Sequence, residues 1–194
     1  MSGLYLPVLY GSVRIGRVSF SVAEFVAGEL AKRPGVETRL FDPKDLPFGN
    51  LELREWEMPT PDPKVTEFVE EMGRADGFVL VTPEYNHGPP GTLKNLLDHL
   101  FDEWNRKPFA LVTAGGISGG LRAADGLRLI LPGIRAICVP AMVPVHQVGT
   151  EFGPSGPVEP DKWRKRLAPM FEELEWYARA LQPARAAAAP PKMP

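Results

Sequence analysis

The chain has one cysteine, three histidines and almost no net charge, and each shortage excludes something. Cys138 alone cannot form an intrachain disulfide or a cysteine-rich metal centre, and a reducing compartment fits it. His87, His99 and His146 share no metal-ligand spacing. With 22 basic and 24 acidic side chains the formal charge is −2. That lacks the positive excess by which proteins bind nucleic acid or anionic membranes. No apolar run approaches the roughly 18–20 residues that span a bilayer. The opening stretch has no basic flank and no cleavage-type site, so no secretory leader is expected. These absences predict a soluble, cytoplasmic protein with no nucleic-acid or membrane partner.

What is present is ordinary globular composition, 44% hydrophobic and 24% charged over 194 residues, enough for one α/β domain with a sizeable core. Apolar runs at Leu4–Tyr10, Glu37–Asp42, Gly77–Thr82, Phe109–Ala114 and Ala136–Val145 predict five strands. Helical stripes alternate with them: Val22, Phe25, Val26 and Leu30; Val65, Phe68, Val69 and Met72; Leu93, Leu96, Leu97 and Leu100; Leu121–Leu131; and Trp163 to Leu181. Pro169 is expected to start, kink or split the last of these. Near-continuous apolar strands alternating with helices imply a doubly wound parallel sheet, with its ligand beyond the carboxyl ends of the strands. Pro43 to Pro63, with five prolines, reads as a long loop over that edge or at a subunit contact. Gly149 to Pro160 is a second loop. The domain is expected over 1–182, with residues 183–194 a disordered tail or packing arm.

Chemistry concentrates after strands one, three and four. Gly11-Ser12-Val13-Arg14-Ile15-Gly16-Arg17-Val18-Ser19-Phe20-Ser21 precedes the first helix, where free N–H groups and the helix dipole favour an anion. Ser12, Ser19 and Ser21 add hydroxyls, while Arg14 and Arg17 add forked positive charge. The loop has neither the Gly-Lys-Ser/Thr ending of a P-loop nor a G-x-G-x-x-G turn. A plain serine-capped turn is the bland alternative. The second loop, Thr82-Pro83-Glu84-Tyr85-Asn86-His87-Gly88-Pro89-Pro90-Gly91, is stiff and suits a flat heterocycle. The third, Gly115-Gly116-Ile117-Ser118-Gly119-Gly120, permits close backbone approach or is a flexible turn.

Pro83-Glu84-Tyr85-Asn86, then Gly88-x-Pro90-Gly91 and Leu93-Lys94-Asn95-x-x-Asp98, resembles the signature of the NADPH-dependent FMN reductase family. Gly11-Ser12-Val13-Arg14 resembles that family's phosphate motif. The resemblance implies a flavodoxin-like sandwich with strand order 2-1-3-4-5, binding FMN and using NADPH or NADH to reduce a flavin, quinone, azo compound or metal oxyanion. It implies that Ser12, Arg14, Arg17, Ser19 and Phe20 surround the FMN phosphate, with Ser19 or Ser21 as the second hydroxyl. It places Pro83, Glu84, Tyr85 and Asn86 against the isoalloxazine and Gly115 and Gly116 at its pyrimidine side. It also implies a homodimer or homotetramer.

No protein acid, base or nucleophile is required for such chemistry, and none is expected as a catalytic residue. Cys138 reads as a buried, inert thiol, and Trp163 and Trp176 as packing residues. His87 is expected at the substrate side or simply in solvent. The rivals are a flavin-binding electron carrier or redox-responsive module, and a flavin-free regulatory sandwich.

Overall fold

The computed structural model describes residues 3–188. The first expected strand is split into β1 (Leu4–Tyr5) and β2 (Val8–Tyr10), because Pro7 between them has no N–H for the ladder. Helix α1 (Ser19–Leu30) follows. The second expected strand is likewise two pieces, β3 (Val36–Glu37) and β4 (Leu40–Phe41), paired in parallel with β1 and β2 respectively. Then come α2 (Pro63–Arg74), β5 (Phe78–Pro83), α3 (Gly91–Asp98), β6 (Pro108–Ala114), α4 (Leu121–Gly133) and β7 (Ile137–Val145). A short helix α5 (Val148–Glu151) leads into a small hairpin, β8 (Phe152–Gly153) with β9 (Gly156–Pro157). The chain closes with α6 (Pro160–Ala187). The main sheet is all parallel in the order β4-β2-β5-β6-β7, which is the expected flavodoxin-like 2-1-3-4-5 winding.

Strand alternation divides the core into two layers. Val79, Val81, Ala110 and Val112 face one side and pack with Val26 and Leu30 of α1 and Leu167, Phe171 and Leu174 of α6. Phe78, Leu80, Phe109 and Leu111 face the other, against Phe68 and Met72 of α2, Leu93 and Leu97 of α3, and Leu127 of α4. Every residue of β5 and β6 is buried, as a sheet covered on both faces requires. The edge strand β7 slips register between the partners of Phe109 and Leu111. Exposed Pro140 lies in that slipped stretch, where an edge tolerates a missing ladder donor.

Four expectations change. Pro169 neither starts nor splits α6, which runs unbroken from Pro160 to Ala187. The packing of Leu167, Met170 and Phe171 on the sheet offsets the roughly 3 kcal/mol an internal proline costs. The expected tail from Pro183 is helical to Ala187, and Arg185 bonds the Asp76 carboxylate at 3.1 Å; residues 189–194 lie outside the described residues. Trp163 is buried, but Trp176 is 66% exposed and touches Tyr177 edge to face. Cys138 is only half-buried, though burial still pushes its thiol above the ordinary range.

The 43–63 segment is fastened to the α2–α3 layer. Asn95 donates to Gly49 O at 2.7 Å and accepts from Leu51 N–H at 3.1 Å. Phe48 packs on Phe68 and on buried His99, with ring centres 5.6 and 4.4 Å apart.

Candidate active site

Parallel strands deliver their following loops to one edge, and here three of those loops enclose a cleft of about 330 Å³. The first loop gives Arg14, Ile15, Gly16, Arg17, Val18 and Ser19; the second gives Pro83, Glu84 and Tyr85; the third gives Ala114, Gly115 and Gly116; and Val148 closes the far side. Of the expected residues, buried Ser12 and partly buried Phe20 are not in the lining. Asn86 stands exposed at the tip of its turn, outside the lining.

The first loop crosses the sheet edge at Gly11, where a Cβ would stand 2.9 Å from Thr82 Oγ1. Only glycine allows that approach. Ser12, 1% exposed, accepts the Arg14 N–H at 3.2 Å and shares a 2.7 Å hydrogen bond with the Tyr85 hydroxyl. That bond joins the first loop to the second. Ser19 shares a 2.7 Å bond with the Tyr10 hydroxyl. Burial pushes the Tyr10 phenol above its ordinary range, so it stays protonated, and when it donates to Ser19 the serine's own O–H is left for an anion. Ser21 donates to Val18 O at 2.8 Å, and of the two serines only Ser19 lines the cleft. Arg14 is exposed, and among the described residues it pairs with no carboxylate; its guanidinium lies 5.9 Å from the Tyr85 ring centre.

Arg17 departs from expectation. Its guanidinium is taken up by Asp42 at the end of β4 and by Ser12 O at 2.6 Å, so it does not present a free charge to the cleft. Asp42 is the residue the sequence reading missed. The signal for it was the pairing of strand two beside strand one, which brings Asp42 alongside the loop after β2.

Glu84 is also engaged within the protein. Its carboxylate accepts from Ser118 Oγ and Arg122 N–H, both at 3.1 Å, and from the Arg122 guanidinium at 3.3 Å. Burial pushes this carboxyl up, but the bonds from Arg122 and Ser118 outweigh it and hold the group below its ordinary range. Glu84 therefore clamps the second loop to the third. Beyond it, Tyr85 and Gly88 exchange backbone hydrogen bonds at 2.9 and 3.1 Å around Asn86 and His87, at φ +48° and +68°. Positive φ at both central residues is the pattern of a type I′ turn.

In the third loop, Gly120 has φ +83°, and a Cβ there would lie 2.8 Å from Thr113 Cβ. Gly116 differs: a Cβ would meet nothing within 4 Å. Its carbonyl accepts Gln147 N–H at 2.8 Å, and Gly115 O accepts Val148 N–H at 3.0 Å, tying this loop to the end of β7. Side-chain and backbone bonds thus link all the loops at the rim.

The helix N-termini that follow the three loops are unequal. Helix α4 receives the Glu84 carboxylate at its Arg122 N–H. Helices α1 and α3 have neither a side-chain cap nor an acidic residue in the first turn, but of these two only α1 lines the cleft, through Ser19, and among the described residues no internal carboxylate meets its positive end.

A model of the family described as NADPH-dependent FMN reductase matches residues 6–150. The chain is similar to an NAD(P)H-dependent FMN reductase of Schizosaccharomyces pombe, 39% identical over 127 residues, an alignment covering 58% of each protein. The chain thus spans less than two thirds of that relative's length. It is also similar to an FMN-dependent NADPH-azoreductase of Staphylococcus haemolyticus, 28% identical over 152 residues, covering 75% of this chain and 77% of the relative. Among solved structures it superposes on FerB, a flavoenzyme NAD(P)H:(acceptor) oxidoreductase from Paracoccus denitrificans, with a TM-score of 0.68. Identity there is 21%, over 91% of this chain and 98% of the other.

Proposed function

Because the chain belongs to the NADPH-dependent FMN reductase family, we propose that it binds FMN in the three-loop cleft. There it passes reducing equivalents from NADPH or NADH to a small acceptor: a free flavin, a quinone, an azo compound or a metal oxyanion. The observation that carries this reading is the inequality of the α1 and α4 N-termini. The α4 terminus already holds an internal carboxylate, whereas the α1 terminus has no internal anion and is flanked by Ser12, Ser19 and the uncompensated Arg14. A phosphate monoester suits the second site and not the first.

The residues fit the rest of the group as well. Pro83, Ala114, Gly115 and Gly116 offer a wall made mostly of backbone, and open space stands where Gly116 lacks a side chain. Such a wall accepts a flat ring. FMN, when bound, would supply the redox chemistry between the nicotinamide and the acceptor. The chain's own groups hold the phosphate, fix the loops relative to one another, and leave one side of the cleft open to a second molecule. The same reading includes self-association as a homodimer or homotetramer, supported by exposed Leu51, Leu53 and Trp56, and checked by sedimentation velocity.

The test is anaerobic. Protein loaded with FMN is titrated with NADPH or NADH, and a quinone is then added. The expected result is loss of the yellow absorbance followed by its return. Colour that persists with both nucleotides refutes the reductase reading in favour of an electron carrier. Protein that gains no bound FMN refutes the cofactor assignment.

A further inference from the structure

We infer that Arg17 and Asp42 form a latch that preorganises the phosphate loop, so that Arg17 contributes to flavin selection as a positioning residue rather than as a ligand of the phosphate. This rests on the FMN reading above and concerns how the loop achieves it.

The first loop has little to shape it. Gly16 takes φ +71°, Ile15 is 91% exposed, and helix α1 begins without a side-chain cap. A loop of this kind samples many conformations, and ordering it on binding costs affinity. Arg17 supplies the missing constraint. One guanidinium nitrogen donates both to Ser12 O, five residues back, at 2.6 Å and to Asp42 Oδ1 at 2.7 Å. The other pairs with Asp42 Oδ2. The first of these contacts closes the loop on itself, and the fork ties it to the end of β4. The guanidinium also lies 4.5 Å from the Phe20 ring centre and 5.1 Å from that of Tyr10. Those rings belong to the first turn of α1 and the end of β2. Loop, strand edge and helix are therefore held by a single side chain, with the Arg17 and Asp42 side chains only 11% and 12% exposed.

The consequence falls on Ser12, the residue whose carbonyl Arg17 holds. Its Oγ accepts the Arg14 N–H and meets the Tyr85 hydroxyl, so the serine and the Arg14 backbone are aimed before any ligand arrives. Lysine cannot replace the fork, because an ammonium does not offer the planar pair of donors that Asp42 and Ser12 O engage together.

The alternative is that Asp42 merely restrains Arg17, whose guanidinium would otherwise hold a phosphate directly. The two readings give opposite signs. The experiment compares FMN with riboflavin, which lacks the phosphate, in the wild type, Asp42→Asn and Arg17→Lys, by quenching of flavin fluorescence. The latch requires wild-type preference for FMN. It requires that preference to fall roughly tenfold or more in both variants, while riboflavin affinity stays within about twofold. Unchanged riboflavin binding also shows that the variant is folded; should Asp42→Asn fail to fold, Asp42→Ser is read by the same ratio. An unaltered FMN preference overturns the latch. Tighter FMN binding in Asp42→Asn overturns it in favour of direct contact by Arg17. If the wild type itself does not distinguish the two flavins, the phosphate reading fails and takes the latch with it, a result separable from the other two.

Discussion

Replacing Glu84 by glutamine should loosen the joint between the second and third loops while keeping its shape. The wild-type carboxylate accepts three hydrogen bonds, of which those from Ser118 Oγ and Arg122 N–H, at 3.1 Å, are the stronger. The Arg122 guanidinium is 52% exposed, so its share is at most about 0.5 kcal/mol. Hydrogen bonds to a charged acceptor contribute about 1.5–3 kcal/mol and neutral ones about 1. Both shorter bonds converge on Oε2; glutamine keeps one carbonyl acceptor there and loses the charge. The expected loss is about 1–3 kcal/mol, or roughly 2–10 °C in Tm for a domain of this size. The carboxyl sits below its ordinary range when folded, so its contribution is complete above the unfolded value of about 4.3 and is lost as pH falls through the folded value. Thermal melts of wild type and Glu84→Gln should therefore differ at pH 7 and converge in acid. Equal melting at pH 7, or a gap that ignores pH, would refute the clamp.

Two glycines of the third loop should respond in opposite ways. Gly120→Ala places a Cβ against Thr113 at positive φ and should cost about 2–4 kcal/mol in denaturant melts. Gly116→Ala, with open space at its Cβ, should leave stability within about 0.5 kcal/mol yet weaken FMN binding in a fluorescence titration. Arg14→Ala should weaken FMN binding without lowering Tm, whereas Arg185→Ala should lower Tm, through its bond to Asp76, and leave FMN affinity alone. Lys107 is buried against Met72 O and Gly73 O at 2.7 Å each. Burial first, then the Arg185 charge, push it down to about 7, although Asp76 and Glu103 oppose the shift. Unfolded lysine keeps its proton to about pH 10.4, so between these values the unfolded chain binds more protons and stability rises with pH. Urea melts should show wild type gaining on Lys107→Met from pH 7 to 9; parallel curves would contradict this.

The winding and the position of the cleft were legible because both follow from local patterns. Apolar runs such as Phe78–Val81 mark buried strands, and right-handed crossovers bring their loops to one edge. What stayed hidden depended on partners distant in sequence. Arg17 looked like a phosphate ligand because its acceptor, Asp42, is 25 residues away and becomes a neighbour only when β4 pairs with β2. Glu84 looked like a ring contact because Ser118 and Arg122 reach it from a loop that follows another strand. Pro169 looked like a start, kink or split, and Pro183 like the opening of a tail, because propensity does not register the core that α6 buries. Lys107 gave no sign of burial, since its acceptors are carbonyls, which carry no residue identity.

The central claim is that the cleft above the carboxyl ends of β2, β5 and β6 seats FMN by its phosphate. A crystal structure of the protein with FMN tests it most directly. The account requires the phosphoryl group at the N-terminus of α1, within reach of Ser12, Ser19 and Arg14, and the ring beside Pro83 and Gly116. Flavin density elsewhere, or a phosphate turned to the N-terminus of α4, would contradict it.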